Sequence, residues 1–219
     1  MQRAARPVYR HSLAVRTSHW LFTAAFFALL GTGALMLLHQ AHRFGWNAEA
    51  VHRIFAWPML IAGAVYLAAA IARGGMRAML LRRADVPKML PMAQYYLGQR
   101  SHPPLHGKYN PLQKAAYTGV IFVVAPLIVI TGYAMWPHAP LGHALADALG
   151  GRHLVKLGHI AGMVALVAFF VGHMVMVAAT GLRANLRAMV TGWHHPHASA
   201  PGADLSERSY RPRQRAPQG

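Results

Sequence analysis

The sequence predicts an all-α fold, a four-transmembrane-helix bundle, and three observations predict it. The first is composition. The chain has 219 residues, 55% of them hydrophobic and only 12% charged, where an ordinary soluble domain carries about 25% charged residues. The second is the spacing of four apolar stretches, residues 18–38, 54–72, 115–136 and 154–180. Each is about 20 residues or longer, enough to cross a hydrocarbon core about 30 Å thick. The third is where the basic residues fall between them.

Taken in chain order, residues 1–17 are a short arm with Arg3, Arg6, Arg10 and Arg16. The first apolar stretch carries His19 and is too long for the apolar part of a signal peptide, and no convincing cleavage site accompanies it. A short loop, residues 39–51, leads to the second stretch. The longest connection, residues 73–114, holds Arg73, Arg77, Arg82, Arg83, Lys88, Arg100, Lys108 and Lys114. Its amphipathic beginning suits the membrane surface. A second short loop, residues 137–152, ends in Gly150-Gly151, a start signal for the fourth helix. From residue 194 onward the chain is polar and rich in Pro, Arg and Ser, a composition that does not build a core. The predicted division is therefore a membrane domain over residues 1–193 and a disordered tail over 194–219.

Of the 22 lysines and arginines, only Arg43, Arg53, Arg152 and Lys156 lie in or just beyond the two alternate loops. That asymmetry is the positive-inside pattern and places both termini and the middle connection in the cytoplasm. The net charge of +17 thus reports topology and attraction to anionic membrane lipid, not nucleic-acid binding. With no cysteine in the chain, thiolate-held clusters, covalent haem attachment and disulfides are excluded.

An imidazole inside a membrane helix is costly and is usually kept because it holds something. His159 and His173 stand fourteen residues apart in the fourth stretch, about 21 Å along one face of a helix. His19 opens the first stretch and His52 the second. Given the predicted topology, His52 and His159 share the outer level, and His19 and His173 the inner one. Two levels with two histidines each is the arrangement that holds two haems b, each bis-histidine ligated, so the four histidines are the predicted iron ligands. Arg16 and Arg53, with Lys156, stand near them as candidate partners of haem propionates. No internal repeat is evident.

Laid out this way, the chain resembles the cytochrome b subunits of membrane-bound formate dehydrogenases, nickel–iron hydrogenases and thiosulfate reductases, relatives of bacterial cytochrome b561. The resemblance spans residues 8–193. It rests on Arg16-Thr17-Ser18-His19-Trp20, His52-Arg53, Lys108-Tyr109-Asn110-Pro111-Leu112-Gln113-Lys114, Thr131-Gly132, the His159/His173 pair and Met189-Val190-Thr191-Gly192-Trp193. It implies a multi-pass protein of the bacterial inner membrane that passes electrons between a periplasmic oxidoreductase partner, of the molybdopterin type, and the quinone pool. It also implies a quinone site at Asn110, with Tyr109 and Gln113 beside it; the same Asn110-Pro111 pair reads equally as a helix start. A second expectation is a stand-alone cytochrome b561-like quinone oxidoreductase acting on a small molecule such as superoxide, with Arg43, Arg53, Arg152 and Lys156 around its outer site. A third is a non-redox membrane protein with interfacial histidines.

Overall fold

The computed structural model describes residues 8–40, 47–104, 106–107 and 109–194. The predicted tail beyond residue 194, Arg43 and Lys108 lie outside the described residues. The helices are α1 (Leu13–Leu37), α2 (Ala48–Ala72), α3 (Met76–Met79), α4 (Met89–Tyr96), α5 (Pro111–Gly119), α6 (Ala125–Met135), α7 (Gly142–Ala148), α8 (Arg152–Ala179) and α9 (Leu182–Thr191). A 3-10 turn over Arg83–Lys88 precedes α4, and a π turn over Val120–Val124 joins α5 to α6. A two-residue antiparallel pair, β1 (Val8–Tyr9) with β2 (Trp193–His194), is the only strand pairing among the described residues. The chain is all-α with four membrane-spanning helices: α1, α2, the joined α5–α6 and α8. At most 17% of the most apolar window of any span is buried within the protein, and Phe27, Ile54, Phe122 and Val164 are exposed apolar side chains.

The π turn has a local cause. Pro126, one residue into α6, has no N–H to donate, and its ring crowds the carbonyl one turn earlier. Widening the preceding turn to an i→i+5 pattern makes room for the ring without ending the span.

The described chain falls into two compact units, residues 8–76 with 174–194 and residues 77–173. In the first, α1 and α2 pack antiparallel: Phe22, early in α1, meets Gly63, late in α2, and Gly33, late in α1, meets His52, early in α2. Ser12 and Asn47 cap their N-termini. The cytoplasmic end predicted for α1 is fastened to α9. Trp20 Nε1 donates to the Met189 carbonyl at 3.1 Å, the Arg16 guanidinium donates to the Val190 carbonyl, and the Arg10 and His11 amides donate to the Gly192 carbonyl. The carbonyls that a helix C-terminus leaves without intrahelical partners are thereby satisfied from α1. Gly192 is required here: its φ is +86°, and a Cβ would stand 2.9 Å from the His11 carbonyl.

In the second unit, Gly158 and Gly162 of α8 admit Leu127 and Ile128 of α6, and a Cβ on Gly162 would stand 2.6 Å from Ile128. A small core of Ala134, Ala146 and Val155, flanked by Met135 and Leu145, joins α6, α7 and α8. The middle connection is fastened to α5 at several points. Met79 is buried, the Leu81 amide donates to Thr118 Oγ1 at 2.9 Å, and Lys114 Nζ donates to both Asp85 carboxylate oxygens at 2.9 and 3.0 Å. Asp85 also accepts from the Arg82 amide.

The Lys114 ammonium holds the Asp85 carboxyl below its ordinary value of 3.8, against the upward push of burial. The folded state therefore takes up this proton less readily than the unfolded one. The stabilisation is complete above about pH 4 and is lost as pH falls through the depressed folded value. With only five Asp and Glu in the chain, this acid limb is readable. Thermal melting in detergent from about pH 3 to pH 7 should show it in the natural protein, and Asp85→Asn should flatten it. At pH 7 the same variant leaves Lys114 without its anion and is expected to cost roughly 1–3 kcal/mol. An unchanged acid limb in Asp85→Asn would assign it to other carboxylates.

Candidate haem-binding site

Each predicted ligand sits on a spanning helix: His19 on α1, His52 one turn into α2, His159 and His173 on α8. The structure adds a residue to two of them. On α1, Thr32 Oγ1 lies 2.8 Å from His52 Nδ1 and 2.7 Å from the Ala28 carbonyl. On α6, Thr131 Oγ1 lies 3.0 Å from His159 Nδ1 and hydrogen-bonds the Leu127 carbonyl. A hydroxyl has one proton, and a carbonyl can only accept. Each threonine is thereby placed to give its proton to its own helix and to accept from the imidazole, an arrangement that suits the Nδ1–H tautomer of His52 and His159. Nε2 of each then carries a lone pair, the state a histidine needs to ligate a metal.

The residue after each threonine is glycine, and it faces the same ring. A Cβ on Gly33 would stand 3.5 Å from His52 Cε1, and one on Gly132 would stand 3.2 Å from His159 Cε1. Thr-Gly on one helix cradling a histidine on the antiparallel one thus occurs once in each unit. Thr32 was not among the residues singled out from sequence, and Thr131-Gly132 entered only as part of a motif. Thr-Gly also occurs at Thr118-Gly119, Thr180-Gly181 and Thr191-Gly192, so the dipeptide alone did not mark these two positions.

The other predicted residues are placed as follows. Arg16 and Arg53 keep only part of their surface in solvent. Arg16 spends its Nη1 on Val190, and its buried Nε has no hydrogen-bond partner among the described residues. Arg53 is paired with Glu49 one turn earlier on α2. Asn110 is 4% exposed and caps α5. Its Oδ1 accepts from the Gln113 amide at 2.9 Å, its own amide donates to Gln113 Oε1 at 3.0 Å, and its Nδ2 donates to the Tyr96 hydroxyl at 2.9 Å. Burial pushes the Tyr96 phenol up from its ordinary value, so it stays neutral at physiological pH.

Tyr109 opens a series of ring contacts. Its ring meets Tyr117 edge-on with centroids 5.3 Å apart, Tyr117 meets Phe169 at 6.0 Å, and Phe169 lies nearly parallel to His173 at 6.3 Å. The series joins the start of α5 to His173 on α8 within one unit. No group of three or more His, Cys, Asp or Glu is gathered to hold a bare metal ion among the described residues. The donor set is one of single histidines, which suits axial ligation of a macrocycle that brings its own equatorial nitrogens.

The family model described as prokaryotic cytochrome b561 matches residues 10–192. The chain belongs to the prokaryotic cytochrome b561 family. It is thus a multi-pass membrane protein of the cytochrome b class, a family that carries haem b. It is 32% identical over 197 residues to a protein of Azospira oryzae named "Putative protein-methionine-sulfoxide reductase subunit YedZ1", covering 81% of this chain and 93% of that one. It is 27% identical over 203 residues to "Putative cytochrome YdhU" of Escherichia coli, covering 85% and 74%.

The two glycines make unequal demands. At 3.2 Å a methyl on residue 132 must displace the His159 ring, whereas at 3.5 Å a methyl on residue 33 meets His52 at ordinary contact. Gly132→Ala is therefore expected to lower haem per chain, measured as pyridine haemochrome, several-fold more than Gly33→Ala. Equal losses would show that the cradles are not what positions the rings.

Proposed function

We propose that this cytochrome b561-family protein is a di-haem electron-transfer subunit that links an oxidoreductase partner on the outer side of the bacterial inner membrane to the quinone pool. Four intramembrane histidines support two haems b, with His52 and His159 holding the outer one and His19 and His173 the inner one. The pairing follows from helix direction and depth, with both termini cytoplasmic as the charge pattern argues. Bound there, each haem supplies a one-electron couple inside the membrane. Arg16, with a buried Nε–H to donate, suits a propionate of the inner haem. Arg53 has to share its charge with Glu49 to do the same at the outer one.

The quinone reading is carried by one observation, the ring series from Tyr109 to His173. It sets the Asn110 motif in the same unit as an inner-level histidine, at the end of the span where the charge pattern places water. Asn110 donates one Nδ2 hydrogen to Tyr96 and has a second for a quinone carbonyl. Tyr96 is partly exposed, so its hydroxyl can exchange protons with water beside the two that quinol formation requires. Gln113 holds the Asn110 amide in place from behind.

A partner is supported by the YedZ1 name, which describes a reductase subunit. The stand-alone reading draws on Arg43, Arg53, Arg152 and Lys156. Of these, Arg53 is already paired, while Arg152 and Lys156 are exposed. Co-purification from native membranes separates the readings, since a large hydrophilic redox subunit accompanies the chain in the first and not in the second.

Two low-spin haems b per chain are expected from the reduced-minus-oxidised spectrum and pyridine haemochrome, and His173→Ala should lose one of them. No haem in folded protein from haem-sufficient cells sinks the redox reading. Asn110→Asp keeps an N-cap acceptor but removes the amide donor. Its haem content and melting temperature should hold while reduction of its haems by quinol slows about 10-fold or more, as loss of a specific positioning group does. Quinol reactivity equal to that of the natural protein would leave Asn110 a helix cap alone.

A further inference from the structure

We infer that Thr32 and Thr131 are positioning residues for the proposed outer haem, orienting its two histidines through a hydrogen bond at Nδ1 and holding its reduction potential down. The inference rests on the ligand assignment proposed above. Four observations carry it.

The first is the proton count. Thr32 is buried, and its Oγ1 stands 2.7 Å from the Ala28 carbonyl and 2.8 Å from His52 Nδ1. If Nδ1 lacked a hydrogen, the one hydroxyl proton would have to serve two acceptors, and one of these short contacts would set lone pair against lone pair. The second is recurrence. Thr131 is equally buried and makes the same pair of contacts with Leu127 and His159 Nδ1. In both cases the following glycine faces the ring. Two chance contacts of this kind would not be expected to agree in residue type, atom, back-bond and neighbour. The third is that the two histidines so held, His52 and His159, are the ones that helix direction assigns to the same level. The fourth is distance. Thr32 lies thirteen residues from His19 on α1, and His159 lies fourteen from His173 on α8, in each case about 20 Å. A change at either threonine is therefore local to the outer site.

The consequence for the site follows from hydrogen bonding. An Nδ1–H that donates to a fixed acceptor makes the ring more electron-rich at Nε2, so it favours the higher-charged state of the iron it binds. Removing the acceptor weakens the hold on the ring N–H and raises the potential. Nothing in this needs the threonine to touch the haem: it acts through the histidine alone.

Thr→Val keeps the branched shape and deletes only the hydroxyl, while Thr→Ser keeps the hydroxyl and deletes only a methyl. Optical redox titration of purified, haem-loaded Thr32→Val and Thr131→Val is expected to show one of the two haem couples shifted upward and the other unmoved. Haem retention should fall about 10–100-fold, the usual cost of losing an outer hydrogen bond to a ligating histidine. Thr32→Ser and Thr131→Ser should restore both readouts, which a role in packing alone would not predict. Should either valine variant fail to fold, the low-temperature EPR spectrum of the ferric serine variants still decides. Unchanged ligand-field values for the outer haem support the inference, and values shifted as far as loss of His52 would bring overturn it. Valine variants with both couples in place overturn it as well. If the natural protein holds no haem, or His52→Ala keeps both, the ligand assignment fails instead, and the two failures are thereby told apart.

Discussion

A threonine hydroxyl owns one proton, and on α1 and α6 that proton is committed to the helix's own backbone. Much of the site depends on this constraint. Lipid offers no water to satisfy a stray N–H, so an imidazole brought into a span must find its acceptor within the protein. A side chain that has already spent its proton is an acceptor only, so it admits one tautomer and rejects the other. The glycine beside it lets the antiparallel helix come near enough for the contact to form, and the small residues of α8 do the same for Leu127 and Ile128 of α6. Helix spacing, ring orientation and ligand protonation are consequences of one local pattern.

The inner end of the third span is organised on a different principle. Asn110 works as a hydrogen-bond hub: its oxygen and backbone amide close a reciprocal cap with Gln113, and its side-chain amide reaches Tyr96. An amide can combine these duties because its donors and its acceptor point in different directions. The Asp85–Lys114 pair then fastens the middle connection to the same helix end. A rigid cap and the proposed quinone contact would be served by one residue, which is why replacing it with a non-capping side chain would confuse stability with chemistry.

How far all this could be read in the sequence varied with the kind of signal. The spans were legible because hydrocarbon thickness imposes a length that composition alone reveals, and Gly150-Gly151 marked the start of α8 at Arg152. The histidines were legible because an imidazole is rare in such runs. The threonines were not. Thr32 precedes its histidine by 20 residues and Thr131 by 28, so the recurrence has no constant period and emerges only when the helices fold back. Lys114 counted as one more cytoplasmic charge, yet it is mostly buried against Asp85, a partner 29 residues away. The π turn was hidden because proline in an apolar run does not disclose whether the helix kinks, widens or ends. What sequence conceals here is pairing between distant residues, whereas length, polarity and topology are local quantities.

The fastening of α9 to α1 has a consequence for how the molecule is made. Trp20 and Arg16 find their carbonyl partners 169 and 174 residues further along the chain. During synthesis α1 leaves the ribosome first, and its donors at that end must wait in water or at the headgroup layer until the rest of the polypeptide has been inserted. His19 lies between those two residues, so its neighbourhood cannot close until α9 has been made. The Thr–Gly pocket around His52, by contrast, is complete as soon as the first helical hairpin has formed. Biogenesis thus has a built-in order: one histidine is set in its neighbourhood early, and the other must await the synthesis of α9.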